Sequence, residues 1–177
     1  IGSSLAKQLV ESKEQVHLVG RDESSLSELA NELNSTYTTC DVLEENFSEK
    51  IVNDLEDEQV NGLAYCVGSI DLKPLKLTKK SDFMQSFNLN LVAATEIIKS
   101  LADNLKTNKG SIVLFSTVAV KQGFPNHAIV SSAKGAIEGL TLALAAEYAP
   151  NIRVNCIAPS LTNSKISNFL LKNEKMA

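Results

Sequence analysis

The chain has 177 residues and a formal net charge of −4, and 44% of the residues are hydrophobic and 21% charged. These values are typical of one folded domain with a sizeable core, and the acidic balance without a long basic run argues against a nucleic-acid partner. No apolar run reaches the roughly 18 residues needed to span a bilayer, so no membrane partner is predicted.

Cysteine usage gives an expectation about the compartment. Cys40, Cys66 and Cys156 are far apart, odd in number and without metal-ligand spacing. This pattern predicts a reducing compartment, here the cytoplasm, with no disulfide and no metal site. The chain starts at Ile1 without Met or a signal-like segment, and we expect this start to lie inside a motif.

Short apolar runs alternate with amphipathic stretches along the whole chain. In chain order, the predicted elements are a helix (2–12), a strand (14–20), a helix (23–33), a strand (35–42), a helix (44–57), a strand (61–67), a helix (81–106), a strand (110–116) followed by a loop, a helix (128–148) and a strand (152–158).

Strands that are apolar throughout indicate a sheet buried on both faces. Such strands need a parallel sheet covered by helices on each side, and right-handed crossovers then give a doubly wound sheet. We therefore predict an α/β fold of this kind. Ligands bind in such sheets at the carboxyl ends of the strands, so functional residues are expected there.

The segment from Ser116 to Lys134 carries the most informative spacing. Thr117 lies 13 residues before Val130, and Lys134 follows Val130 by four. Asn90 lies 27 residues before Thr117. This pattern resembles the active-site segment of the short-chain dehydrogenase/reductase family, in which a Tyr occupies the position of Val130.

Further motifs extend the resemblance over essentially the whole chain. Gly68 lies 22 residues before Asn90, and the segments 139–141 (Gly-Leu-Thr) and 152–155 (Ile-Arg-Val-Asn) also match. The pattern is closest to the 3-oxoacyl-carrier-protein reductase-like branch. The resemblance implies a Rossmann fold with a single dinucleotide-binding domain over 1–177. We expect this domain to be incomplete at both ends, without the family's N-terminal strand and C-terminal part.

The resemblance implies hydride transfer between a nicotinamide cofactor and a carbonyl or activated double bond. Thr117 would orient the carbonyl, Lys134 would bind the nicotinamide ribose, and Asn90 would hold a water that relays protons to Lys134. Val130 cannot donate the proton that the family's Tyr supplies, and Tyr65 is expected on the adenosine side. The remaining candidate donors, in order of preference, are Lys134 through a water, His127 and Ser131.

Cofactor-binding positions follow from the same resemblance. Gly2 would be the last glycine of a turn at a helix N-terminus, where a pyrophosphate is favoured. The other implied positions are Asp41 and Val42 at the adenine, Gly68 at the adenosine ribose, and Pro159, Ser160 and either Thr162 or Ser164 near the nicotinamide.

The residue after the strand at 14–20 bears on the choice of cofactor. An acidic residue at this strand end would bind a ribose 2′-hydroxyl, but the strand ends at Gly20, followed by Arg21. An Arg can pair with a 2′-phosphate in a bidentate fork, so we favour NADP over NAD. The alternative is a solvated Arg21 paired with Asp22 or Glu23.

Several of these residues also have a purely structural interpretation. Gly2 fits an ordinary helix start, Asp41 a cap on the following helix, Asn90 a helix kink and His127 a polar residue at a helix start. The functional alternatives to a small-molecule oxidoreductase are a catalytically silent dinucleotide-binding homologue, acting as a sensor or an oligomer partner, and a scaffold without cofactor. By analogy with the family we expect a homodimer or homotetramer.

Overall fold

The structure is a computed structural model, and it describes residues 1–56, 58–164 and 167. The expected truncation at Ala177 lies outside these residues. The described elements are α1 (Gly2–Glu11), β1 (His17–Gly20), α2 (Glu23–Leu33), β2 (Thr36–Thr39), α3 (Phe47–Leu55), β3 (Gly62–Tyr65), a 3-10 turn (Leu75–Leu77), α4 (Lys80–Phe87), a π-helical turn (Asn88–Val92), α5 (Ala93–Thr107), β4 (Ser111–Phe115), α6 (Ala119–Gln122), α7 (Ala128–Tyr148) and β5 (Arg153–Ile157).

The predicted alternation of helices and strands is confirmed. The helices predicted over 23–33 and 128–148 have the predicted bounds. Every strand is shorter than its predicted run, because only part of each run pairs with a neighbour. The helix predicted over 81–106 is present from Lys80 to Thr107, with the π-helical turn in its middle. One local prediction is wrong: the loop after β4 contains the short helix α6.

All strand pairs are parallel, as predicted. β3, β4 and β5 form a sheet with β4 in the centre, and β1 pairs with β2. Helices connect successive strands, which makes this a Rossmann-type α/β fold. No strand among the described residues pairs with the second edge of β1 or of β3.

The main core lies between the three-stranded sheet and helices α3, α5 and α7. Ile112 and Leu114 of β4 are fully buried, as are Leu105 of α5 and, almost completely, Ile137 of α7. Burying a side chain of this size stabilises the fold by roughly 2 kcal/mol. A smaller cluster joins α1 and α2 to β1; its buried members are Ala6, Leu18, Leu26 and Ala30.

The π-helical turn between α4 and α5 is supported by a side chain from the sheet. A π turn displaces the normal helical hydrogen bonds, so its carbonyls need other partners. The hydroxyl of Tyr65, at the end of β3, donates to the carbonyl oxygen of Leu89 at 2.7 Å. Tyr65 is buried, and burial raises its pKa. Its side chain therefore lies in the core, against the π-helical turn.

Helix α7 is long and apolar enough to cross a membrane by length and composition alone, the one such helix in the described part of the chain. One helix of this kind is a weak indication of a span. In the structure α7 packs against β4 and β5. Its buried residues are Ile129, Val130, Ala133, Ile137 and Thr141. This packing fits the core helix of an α/β domain.

Candidate functional site

Three of the predicted site residues meet beyond the carboxyl end of β3. A Cβ placed on Gly68 would lie 3.0 Å from Asn90 Oδ1 and 3.1 Å from Lys134 Nζ. Both polar atoms therefore approach the Cα of Gly68, one from the π-helical turn and one from α7. A side chain at this position would displace them, which is the physical reason for a glycine here.

Asn90 is fully buried within the π-helical turn. Its side-chain nitrogen donates to the carbonyl oxygen of Ser86 at 2.9 Å. Its Oδ1 has no hydrogen-bond partner among the described residues. Leaving a buried polar atom unpaired costs about 1–3 kcal/mol, so such an atom indicates a place for a water or a ligand. Asn90 thus takes part in a helix irregularity and also presents an unused acceptor.

Lys134 is partly buried on α7. Burial lowers its pKa to about 8, and the nearby Cys156 and Cys66 offset part of this effect. No carboxylate forms an ion pair with Lys134 in the described ranges. An amine with such a pKa exchanges its proton readily near neutral pH.

The two hydroxyl residues after β4 have different hydrogen bonds. Ser116 is buried, and its Oγ donates to Glu138 Oε1 at 2.6 Å. Thr117 Oγ1 accepts from the backbone N–H of Ala119 at 3.3 Å, so its own hydrogen is left for a ligand. Thr117 is therefore the better of the two to orient a substrate oxygen.

Glu138 is a residue that the sequence reasoning missed. It lies four residues after Lys134, hence on the same face of α7, and this spacing was the available signal. The hydroxyl that it accepts from, Ser116 Oγ, also lies 3.4 Å from the carbonyl oxygen of Lys134. These contacts join the end of β4 to the turn of α7 that carries Lys134.

Val130, at the position of the family's Tyr, is buried and aliphatic. The three predicted proton donors, Lys134, His127 and Ser131, differ in their surroundings. The Oγ of Ser131 donates to the carbonyl oxygen of Ala119 at 3.3 Å. The Nδ1 of His127 donates to the carbonyl oxygen of Pro125 at 2.8 Å, and this residue precedes Lys134 by seven positions, about 10 Å along the helix axis. Lys134, by contrast, approaches Gly68 together with Asn90.

At the predicted pyrophosphate position, Gly2 is the first residue of α1. A Cβ placed on it would lie 3.3 Å from the Cβ of Cys66 and 3.7 Å from its Sγ. The start of α1 therefore lies close to the end of β3. Burial raises the pKa of the Cys66 thiol, which keeps it neutral beside this helix start.

The predicted adenosine-side residues lie at the ends of β1 and β2. Arg21 Nη1 lies 3.3 Å from Asp41 Oδ2, so Arg21 pairs with Asp41. Asp22 caps α2 by accepting from the N–H of Ser25. The alternative that Asp41 caps the following helix is wrong, because the N-cap of α3 is Asn46. Val42 is buried in the core.

The predicted nicotinamide-side residues follow β5. The carbonyl oxygen of Pro159 accepts from the N–H of Val118 at 3.1 Å, which joins this segment to the turn after Thr117. Thr162 Oγ1 donates to the carbonyl oxygen of Ser160 at 3.0 Å. Within the described part of the chain, no group of three or more His, Cys, Asp or Glu residues could hold a metal ion.

Comparison with known proteins adds relatives across the whole chain. The family described as enoyl-(acyl carrier protein) reductase matches residues 1–177. A tropinone reductase homologue from Arabidopsis thaliana is 32% identical over 186 residues, covering 99% of this chain and 71% of that protein. A 3-oxoacyl-[acyl-carrier-protein] reductase from Rickettsia bellii is 28% identical over 182 residues, covering 100% of this chain and 74% of that protein.

Other matches are shorter or rest on the fold. Hydroxynaphthalene reductase from Aspergillus fumigatus is 37% identical over 94 residues, and the match spans only 34% of its length. A gluconate 5-dehydrogenase from Burkholderia cenocepacia, solved with NADP and tartrate, superimposes with a TM-score of 0.91 at 20% identity, covering 99% of this chain and 72% of that chain. An apo SCOR enzyme from Clostridium thermocellum superimposes with a TM-score of 0.83 at 28% identity, covering 93% of this chain and 69% of that chain.

Proposed function

The chain belongs to the short-chain dehydrogenase/reductase family, and we propose that it is an NAD(P)-dependent oxidoreductase acting on a carbonyl or an activated double bond of a small molecule. The observation that carries this proposal is the meeting of Asn90 Oδ1 and Lys134 Nζ over Gly68. An unpaired buried acceptor and a lysine whose pKa is lowered by burial both destabilise the fold. Such arrangements are typical of functional sites, and a role in proton transfer accounts for this one.

The residues present fit a nicotinamide dinucleotide, which supplies the hydride when bound. Gly2 and Gly68 leave backbone exposed at places where a Cβ would meet neighbouring atoms. Asn90 offers an unpaired oxygen. Arg21, at the other end of the site, offers a cation for a 2′-phosphate, which supports NADP over NAD.

Each polar group then has a separate task. Thr117 donates its uncommitted hydrogen to the oxygen of the substrate. Lys134 would bind ribose hydroxyls and would pass its proton, through a water held by Asn90 Oδ1, to the substrate oxygen that becomes negatively charged when the hydride arrives. Because its pKa is about 8, Lys134 is charged at neutral pH and gives up a proton at moderate cost. Val130 takes no part in proton transfer.

The direct test is a fluorescence titration of the full-length protein with NADPH and NADH. We expect saturable binding, and at least a tenfold loss of affinity in Lys134→Ala. Lys99, which is exposed on α5, provides the matched control, and Lys99→Ala should bind as the wild type does. Unchanged affinity in Lys134→Ala would remove Lys134 from the site.

A catalytically silent homologue is the second candidate, and the buried Val130 favours it. This candidate predicts NADPH binding without oxidation by any ketone, aldehyde or enone. Val130→Tyr asks whether a hydroxyl at this position suffices for ketone reduction. Turnover by the wild type would exclude the silent homologue.

We further propose a cytoplasmic homodimer or homotetramer with one domain over 1–177. Exposed apolar side chains on α4, the π-helical turn and α7 support an interface: Met84, Val92 and Leu142 are 53%, 46% and 74% exposed. Light scattering of the full-length protein, with Leu142→Lys as the variant, tests this. A monomer at micromolar concentration would contradict it.

A further inference from the structure

An ion pair joins the ends of two neighbouring strands. β1 and β2 run in parallel with Gly20 opposite Thr39, and the N–H of Cys40 donates to the carbonyl oxygen of Gly20 at 2.9 Å. The chain then continues from each strand into a charged side chain. Arg21 Nη1 and Asp41 Oδ2 lie 3.3 Å apart at this point.

The two partners of this pair are held very differently. Asp41 is anchored, because its second oxygen, Oδ1, accepts from the N–H of Leu43 at 3.0 Å, and its side chain is 31% exposed. The side chain of Arg21 is 71% exposed. The pair therefore consists of a fixed anion and a cation that can leave it at little cost.

A 2′-phosphate and the carboxylate of Asp41 would compete for the same guanidinium. A phosphate bound to Arg21 would also lie within a few ångström of the fixed carboxylate, since the two anions share one cation. Repulsion between like charges at such a distance changes a binding constant about five- to tenfold at a solvated site. An unphosphorylated ribose meets no such penalty.

We propose that Asp41 is a specificity-determining residue that acts through Arg21: its carboxylate competes with the 2′-phosphate and so reduces the preference for the phosphorylated cofactor. This inference rests on the proposed function, which puts the adenosine end of the dinucleotide at β1 and β2. It differs from a role at the adenine alone, because adenine is common to both cofactors and its loss would weaken both equally.

The test compares dissociation constants for NADPH and NADH in the full-length protein at low ionic strength. Asp41→Asn keeps the shape of the side chain and an oxygen for the N–H of Leu43, and removes the charge. We expect the ratio of the NADH to the NADPH constant to rise about five- to tenfold. In an Arg21→Gln background the same substitution should leave the ratio unchanged, and added salt should shrink the effect.

Glu45→Gln is the matched control, since Glu45 is exposed and close in sequence but has no assigned part in the site. The inference is overturned if Asp41→Asn changes the dissociation constants for NADPH and NADH by the same factor. It is also overturned if Asp41→Asn shifts the ratio of these constants in the Arg21→Gln background, or if Glu45→Gln shifts that ratio by a comparable factor.

Fragments separate this inference from the proposed function. Adenosine 2′,5′-bisphosphate and adenosine 5′-monophosphate carry the adenosine end without the nicotinamide, so they test the Asp41–Arg21 competition even if no substrate is ever turned over. Binding without turnover, with the expected ratio, contradicts only the oxidoreductase activity. Failure of all four nucleotides to bind overturns both.

Discussion

The two ends of the candidate cofactor site hold their polar groups in opposite ways. Beyond β3, Asn90 is fully buried and leaves one oxygen unpaired, and Lys134 is partly buried without a carboxylate partner among the described residues. Beyond β1 and β2, Arg21 is largely exposed and pairs with Asp41. The end beyond β3 thus has buried polar groups without partners among the described residues, whereas the end beyond β1 and β2 has a charged pair at the surface.

This difference separates two kinds of consequence. A change to a buried polar group is uncompensated by solvent and costs about 1–3 kcal/mol, enough to affect both folding and chemistry. A change to an exposed ion pair costs well under that, because water replaces the lost partner. We therefore expect substitutions beyond β3 to alter activity, and substitutions beyond β1 and β2 to alter only the choice of cofactor.

The largest effect is expected from Gly68→Val. The new side chain would push Asn90 and Lys134 apart, so NADPH affinity should fall at least tenfold and stability by about 1–3 kcal/mol. Gly139 on α7 is the control, since a Cβ there meets no atom within 4 Å and Gly139→Ala should gain about 0.5–1 kcal/mol from helix propensity. Titration and urea unfolding measure both. Wild-type NADPH affinity in Gly68→Val would contradict the expectation that the polar groups beyond β3 belong to the cofactor site.

The next effect concerns pH. If Lys134 supplies the proton, turnover should fall as pH rises through about 8, approaching tenfold per pH unit. The Lys134→Arg variant stays protonated over this pH range, so its pH–rate profile should not show this fall. In the wild type the pKa of Lys134 in the folded state lies below the ordinary 10.5. Folding therefore favours the neutral amine, and the free energy of unfolding should rise with pH between about 8 and 10.5. A pH–rate profile that is flat from pH 7 to 9.5 would argue for another donor.

A smaller effect is expected from Tyr65→Phe. The variant leaves the Leu89 carbonyl without its donor, which should cost about 1 kcal/mol and loosen the π-helical turn that carries Asn90. Tyr37, which is 38% exposed on β2, is the matched control, and Tyr37→Phe should change stability little. Urea unfolding compares the two variants. Equal stability losses would mean that the hydroxyl of Tyr65 adds nothing.

The β1–β2 end also has a polar network of its own. Thr38 is buried, and its hydroxyl donates to Asp54 Oδ2 at 2.6 Å. Because that hydrogen is used, Thr38 accepts from His17 Nε2 at 2.9 Å, and His17 Nδ1 lies 2.8 Å from the hydroxyl of Thr36. Four side chains thus join β1, β2 and α3, in a region with only a small apolar cluster.

The smallest effect is expected at this network. Burial lowers the pKa of His17, and the nearby Asp54 offsets part of this. Folding therefore favours the neutral ring, and stability should fall slightly as pH drops below the ordinary pKa of 6.5. Unfolding at pH 5.5 and 7.5 should show this difference in the wild type and in His127→Gln, but not in His17→Gln. A pH dependence that persists in His17→Gln would assign it to other groups.

Much of the fold was predictable because apolar periodicity decides which face of an element is buried. The bounds of α2 and α7 were predicted correctly, since a charged or polar residue flanks each apolar stripe. The π-helical turn was not, because the bond that supports it joins the hydroxyl of Tyr65 to the carbonyl oxygen of Leu89, 24 residues away. Local periodicity contains no information about a bond of that kind.

The sequence predicted which residues belong to the candidate site, but not the hydrogen bonds that hold them. Spacing singled out Gly68, Asn90 and Lys134, which the structure brings together, and their chemical roles stay predictions. Spacing did not single out Glu138 as the acceptor for Ser116. A carboxylate on a helix is usually solvated, and only packing against the sheet reveals an exception.

By itself, the sequence determined the α/β class, the order of the elements and that position 130 carries an aliphatic side chain, because these depend on residue type and short-range periodicity. Tertiary structure alone decided that Arg21 pairs with Asp41 and that, among the described residues, Asn90 Oδ1 has no hydrogen-bond partner and Lys134 no carboxylate partner. The reason is physical: a hydrogen bond or a pKa depends on which atoms lie within a few ångström and on how much water reaches them, and folding sets both between residues distant in sequence.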